Sequence, residues 1–108
     1  MTPEITVYEA KIHLDNDDAV LIDVREPFEY HEMNIPSAKL IPMNTDSWDK
    51  LPVTSAKKII VHCRSGKRSA AVCMKLLSTN PQAEVYNMAG GILAWYAAGF
   101  PVDTTSQP

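Results

Sequence analysis

Residues 58–69 read Lys-Ile-Ile-Val-His-Cys-Arg-Ser-Gly-Lys-Arg-Ser and hold the clearest chemistry in the chain. Ile59-Ile60-Val61 is short, apolar and β-branched, the pattern of a buried strand. Cys63 follows almost at once, then a turn containing Gly66, then a helical pattern from about Lys67. A cysteine where a strand hands over to a helix faces unpaired backbone N–H groups and the positive end of the helix dipole, and both favour the thiolate. Successive N–H groups in such a turn make a nest for negative charge, and Gly66 allows a backbone conformation that other residues resist. Arg64, Lys67 and Arg68 add three cations within five residues. A helix terminus contributes about 0.3–1 kcal/mol, whereas a tenfold change in ionisation takes about 1.36 kcal/mol. Converging N–H groups and the cations must therefore supply any larger stabilisation. The stretch predicts a working thiolate at Cys63 in a cradle built for anions. An inert core cysteine would leave the three flanking cations unexplained.

The neighbouring reactive types have plainer explanations. His62 precedes Cys63, but adjacent strand residues point to opposite faces, and an ionised cysteine needs no base. A packed or hydrogen-bonded histidine is expected. Asp23 and Arg25, at the end of another apolar run, are expected to brace the sheet edge by local pairing. Cys73 lies about 15 Å of helix rise from residue 63, which predicts a core side chain rather than a resolving thiol. Trp48 and Trp95 are expected to pack in the core, with the lip of the anion site as the alternative for Trp48.

The elements that position this loop follow from periodicity. A β-prone piece at 5–7 leads into a helix over 8–14 with Tyr8, Ile12 and Leu14 inward, then a polar turn at 15–18. The apolar run 19–22 reads as a strand buried on both faces. Pro27 suits the first turn of a helix over 28–33. A turn at 35–38, a small strand at 39–41 and a short helix follow, the helix capped by Asn44 or Thr45, running through Trp48 and Leu51, and stopped by Pro52. After the strand 58–62, the helix 67–78 should turn Ala70, Cys73, Met74, Leu76 and Leu77 inward and Lys75 and Ser78 outward. A last strand at 83–88 precedes a helix that starts at Gly90-Gly91 and ends at Gly99, with Pro101 beyond it. Residues 103–108 read as a loose polar tail. Alternating strands and helices predict an α/β fold, a small doubly wound, mostly parallel sheet with helices on both faces, forming one domain over 1–108. Ligands in such sheets bind at the carboxyl ends of strands, where Cys63 and Asp23 both fall.

Composition narrows the function. The 45 % hydrophobic and 21 % charged content fits a soluble globular domain rather than a disordered or membrane chain. The net charge of −3 is uneven: residues 1–54 carry four Lys/Arg against eleven Asp/Glu, and residues 55–108 six against two. The acidic total argues against nucleic-acid partners, while the cations at 64–68 can still draw in a small anion. No run approaches the roughly 20 apolar residues that span a bilayer, and no signal peptide is visible. Two cysteines are too few for a disulfide framework and lack metal-ligand company, so no metal or cofactor is expected. A cytosolic, reducing compartment is expected, where a cysteine is more often catalytic than structural.

Three motifs in register resemble the single-domain rhodaneses. Cys63-Arg64-Ser65-Gly66-Lys67-Arg68-Ser69 is similar to that family's active-site loop, and Leu21-Ile22-Asp23-Val24-Arg25-Glu26-Pro27-Phe28-Glu29-Tyr30 to its strand-plus-helix signature. Gly90-Gly91-Ile92-Leu93-Ala94-Trp95-Tyr96-Ala97-Ala98-Gly99-Phe100-Pro101-Val102 is similar to its closing helix. The resemblance implies sulfur transfer from thiosulfate or a related anionic donor through a Cys63 persulfide to cyanide, a dithiol or a protein thiol. It implies that the loop N–H groups of Arg64, Ser65, Gly66, Lys67 and Arg68 hold the anion. Arg64, Lys67 and Arg68 would recruit the donor, with loop anchoring as the alternative role for Arg68. One turn departs from the family pattern: Met33-Asn34-Ile35-Pro36-Ser37-Ala38 stands where relatives often read Gly-His-Ile-Pro-Gly-Ala. Two rivals remain. A phosphatase or arsenate reductase of the same fold type would place one residue more between nucleophile and arginine than the four between Cys63 and Arg68. A non-catalytic binding module would have no use for the cysteine.

Overall fold

The two strands expected from short, uniformly apolar runs lie side by side in the middle of the sheet. They are β2 (Ala19–Asp23) and β5 (Lys58–His62), paired in parallel with Ile22 beside Val61 and Asp23 beside His62. The computed structural model describes residues 2–44 and 57–104. β6 (Val85–Met88) and then β1 (Glu4–Ile5) extend the sheet beyond β5, and β4 (Ala38–Leu40) extends it beyond β2. Every pairing in this five-stranded sheet is parallel. The connecting helices are α1 (Val7–Asp15), α2 (Pro27–Glu32), α3 (Lys67–Thr79) and α4 (Gly91–Ala97).

Burial on both faces of the sheet explains why the middles of β2 and β5 are continuous apolar runs. Leu21, Ile60 and Met88 face one way, against Val7 and Ala10 of α1 and Ile92 and Trp95 of α4. Ile22, Ile59, Val61 and Val85 face the other way, against Val72, Cys73 and Leu76 of α3. Each Val, Leu, Ile or Met among them, fully buried, contributes about 1.5–3 kcal/mol. The sheet thus feeds two cores. It also presents its carboxyl ends, with Asp23, Cys63 and Asn87 nearby, as one rim. Val20 is the exception to two-sided burial, at 38 % exposure.

Several expectations need correction. Thr6 caps α1 rather than ending a strand: its Oγ1 accepts from the Glu9 N–H at 3.1 Å, and Glu9 Oε1 accepts from the Thr6 N–H at 3.0 Å. The helix therefore begins at Val7 and its buried face is Val7 and Ala10, leaving Tyr8 and Ile12 exposed. On α3 the inward row is Ser69, Val72, Cys73 and Leu76, and Met74 faces solvent. Of the expected loose tail at 103–108, the first two residues are ordered, and 105–108 lie outside the described residues. Asp103–Thr104 form β7, antiparallel to β3 (Met33–Asn34), into which Met33 passes at the end of α2. Trp95 is buried, and its Nε1–H donates to the Pro101 carbonyl at 2.9 Å. The helix expected through Trp48 and Leu51 lies outside the described residues.

Candidate active site

Cys63 stands one residue beyond the carboxyl end of β5 and is only 1 % exposed. The Gly66 N–H points at its Sγ from 3.1 Å, and the Ser69 hydroxyl, on the first turn of α3, lies 3.3 Å away. Burial pushes the Cys63 thiol up. The Ser69 hydroxyl and the backbone N–H groups of Ser69, Gly66 and Ser65 more than reverse this, leaving the group below its ordinary value. Cys73 shares the same apolar cluster, and there burial, reinforced by Cys63, pushes the thiol up to about 12.

The loop N–H groups can turn inward because the neighbouring carbonyls are taken from outside. The Ile92 and Leu93 N–H groups, in the first turn of α4, donate to the Cys63 and Arg64 carbonyls at 2.9 and 3.2 Å. These are donors that a helix start leaves free. Gly91 makes the approach possible: its φ is +61°, and a Cβ there would collide with both carbonyl oxygens. Gly66, at φ +108°, makes the turn into α3. Asn87, next to the end of β6 and 2 % exposed, ties the parts together. Its Nδ2 donates to the Gly66 carbonyl at 3.0 Å, and its Oδ1 accepts from the Ser69 hydroxyl at 2.5 Å.

The three loop cations divide. Arg68 donates through both terminal nitrogens to Glu29 of α2, at 2.7 and 2.9 Å. That bidentate pair holds Glu29 down at about 2 and raises Arg68. Of the two roles left open for Arg68, donor recruitment and loop anchoring, this pairing to α2 fits the second. Arg64 and Lys67 are exposed, and neither has an ion-pair partner among the described residues.

Beside β5, Arg25 grips Asp23 with contacts of 2.7–3.1 Å and also donates to the Met33 carbonyl at 2.7 Å. Both residues are buried, so they brace the end of β2 and β3 as local pairing predicts. His62, fully buried, contacts the Cys63 carbonyl through Nδ1 at 3.2 Å rather than the sulfur. Burial keeps its pKa lowered, against the opposing pull of Asp23. Among the described residues, no cluster of three His, Cys, Asp or Glu side chains is placed to hold a metal ion.

Cys63, Ser65, Gly66 and the cations stand together in one loop, as their adjacency dictates. Ser69, Asn87, Glu29 and Gly91 were missed as partners of that loop. Ser69 carried a signal, three residues past Gly66 and so in the first turn of the helix that starts behind the sulfur. Asn87 carried a weaker one, a polar residue in the otherwise apolar end of a strand. Glu29 carried none, since it meets Arg68 from 39 residues away.

The rhodanese-like domain family model matches residues 6–98. The chain belongs to this family. Among curated proteins, this rhodanese-like chain is 33 % identical over 88 residues to a sulfurtransferase of Allochromatium vinosum, covering 82 % of this chain and 81 % of the relative. It is 34 % identical over 93 residues to the putative sulfurtransferase YtwF of Bacillus subtilis, covering 85 % and 88 %. Among solved structures, it superposes on a thiosulfate sulfurtransferase from Pseudomonas aeruginosa with a TM-score of 0.85 at 26 % identity, covering 98 % of this chain and 21 % of the other. The turn that departs from the rhodanese pattern is held by its own bonds. Asn34 Nδ2 donates to the Tyr30 carbonyl at 3.0 Å, and the Ala38 N–H to the Ile35 carbonyl at 2.9 Å. No helix among the described residues is long and apolar enough to cross a membrane.

Proposed function

We propose that the protein is a sulfurtransferase that moves sulfane sulfur from thiosulfate or a related anionic donor, through a Cys63 persulfide, to a thiophilic acceptor. In loading, the Cys63 thiolate attacks the donor's outer sulfur. The donor S–S bond breaks, and sulfite leaves with the bonding pair. In unloading, cyanide, a dithiol or a protein thiol attacks the terminal sulfur, and the Cys63 thiolate leaves. The order is ping-pong. The N–H groups of residues 64–68 hold the negative charge of the persulfide and of the departing sulfite. Arg64 and Lys67 recruit the donor, and Arg68 keeps the loop in shape through Glu29.

The observation that carries this reading is the convergence of the Gly66 N–H and the Ser69 hydroxyl on one buried sulfur whose thiol is held below its ordinary value. Relatives named as sulfurtransferases at about a third identity support it. The same reading treats 1–108 as one sulfurtransfer domain working without a cofactor in a reducing, cytosolic setting, with both cysteines free. Its partners are then a small anion and a thiol, not nucleic acid or a membrane. The test is peptide mass spectrometry after incubation with thiosulfate. A gain of one sulfur, about 32 Da, on the peptide carrying Cys63, released by cyanide as thiocyanate, is expected. An unmodified Cys63 at saturating thiosulfate and across a panel of persulfide donors overturns the reading.

A further inference from the structure

The Ser69 hydroxyl has one hydrogen and two acceptors within reach, Cys63 Sγ at 3.3 Å and Asn87 Oδ1 at 2.5 Å. The amide of Asn87 has a fixed orientation. Its Nδ2 donates to the Gly66 carbonyl at 3.0 Å and lies 3.5 Å from Glu4 Oε2, so turning it over would set Oδ1 against two acceptor oxygens. Asn87 and Ser69 are both buried, at 2 % and 0 % exposure, so Oδ1 has no ready substitute in water for a hydroxyl it loses.

We propose that Asn87 is a positioning residue of the sulfur site, its side-chain carbonyl competing with the Cys63 sulfur for the single Ser69 hydroxyl hydrogen. With Cys63 as a thiol, the chain is complete: S–H donates to Ser69 Oγ, and Ser69 O–H donates to Asn87 Oδ1. When Cys63 ionises, its proton passes to solvent and the Ser69 hydrogen turns from Oδ1 to the sulfur, leaving the amide carbonyl unpaired. In the persulfide the charge sits on the outer sulfur, the inner one is a weak acceptor, and the hydrogen returns to Oδ1. Asn87 therefore opposes thiolate formation. It keeps the attacking sulfur more basic and more nucleophilic, and makes it a slower leaving group in unloading. The inference deepens the sulfurtransferase reading and rests on Cys63 as its working thiolate. Its tests need no sulfur donor, so a protein inactive with every donor would still answer them.

In the unaltered protein, the Asn87 Cγ resonance is followed by NMR while Cys63 is titrated by thiolate absorbance. The Cγ signal should move with the Cys63 midpoint. In Asn87→Leu the midpoint should fall, giving roughly two- to tenfold more thiolate at any pH below it, the factor that one hydrogen bond supplies. Mere loosening of the loop has the opposite sign, because it takes N–H groups away from the sulfur. Ser69→Ala should raise the midpoint, and adding Asn87→Leu to it should bring no fall from that raised value. A flat Cγ signal, a midpoint unchanged or raised in Asn87→Leu, or a fall that persists without Ser69 overturns the proposal.

Discussion

Two buried polar clusters sit at the carboxyl ends of adjacent strands, and they solve the problem of burial in opposite ways. At the end of β2, Asp23 and Arg25 are opposite charges locked together by multiple contacts of 2.7–3.1 Å. Beside the end of β5, Cys63 is met by neutral donors, the Gly66 N–H and the Ser69 hydroxyl, aimed at one atom. The first cluster sets opposite charges against each other and cancels them. The second carries dipoles without a charge of its own until Cys63 ionises. Paired charge reads as bracing, and converged dipoles read as a place prepared for charge that comes and goes. His62 lies between the two, touching the Cys63 carbonyl and standing 3.6 Å from Asp23 Oδ2, a distance too long for a hydrogen bond.

The comparison breaks most visibly at the sulfur. Cys63→Ser should abolish sulfur loading outright while leaving unfolding free energy within about 1–2 kcal/mol of the parent, since one small polar atom replaces another. Arg25→Leu should do the reverse. It strands the Asp23 carboxylate in the interior at a cost of about 3–5 kcal/mol, measured by urea unfolding, with loading per folded molecule retained. A stable Arg25→Leu protein that cannot load sulfur would move the first cluster from bracing into the chemistry.

How much of this contrast could be read from sequence depends on the range of the contacts. The strand β5, the turn at Gly66 and α3 are local patterns, and the Asp23–Arg25 pair spans two residues, so all were legible. The direction of His62 follows from strand alternation. The start of α1 was also legible in Thr6-x-x-Glu9, but the β-branched run 5–7 masked it and turned the inward face by one residue. Asn87, Glu29 and the Gly91 approach depend on which elements become neighbours across the sheet. Nothing in the local pattern around residue 63 encodes that.

Smaller effects sharpen the comparison at its edges. Glu29 has a folded-state value of about 2 against an ordinary 4.5, so its pairing stabilises the fold fully above pH 4.5 and is lost as pH falls toward 2. With Arg68 35 % exposed, solvent screening reduces this to about 1–2 kcal/mol. Glu29→Gln should lose that amount at neutral pH and show a flatter stability profile between pH 4.5 and 2. An unchanged acid profile would remove the anchor role given to Arg68. Smallest of all, Lys67→Ala should raise the KM for thiosulfate about two- to fivefold at low salt, and the difference should vanish at high ionic strength as charge is screened. A gap that survives high salt would mean that Lys67 makes a direct contact instead.

The central claim is that donors converged on one buried sulfur, and not burial or proximity to cations, hold the Cys63 thiol below its ordinary value. The two cysteines of the same core test it side by side. Their alkylation by iodoacetamide can be followed against pH, resolved by peptide mass spectrometry under native conditions. The account predicts a Cys63 midpoint below the ordinary thiol value of 9.0, with Cys73 unreactive until pH approaches about 12. A Cys63 midpoint at or above 9.0, or two cysteines that titrate together, would contradict it.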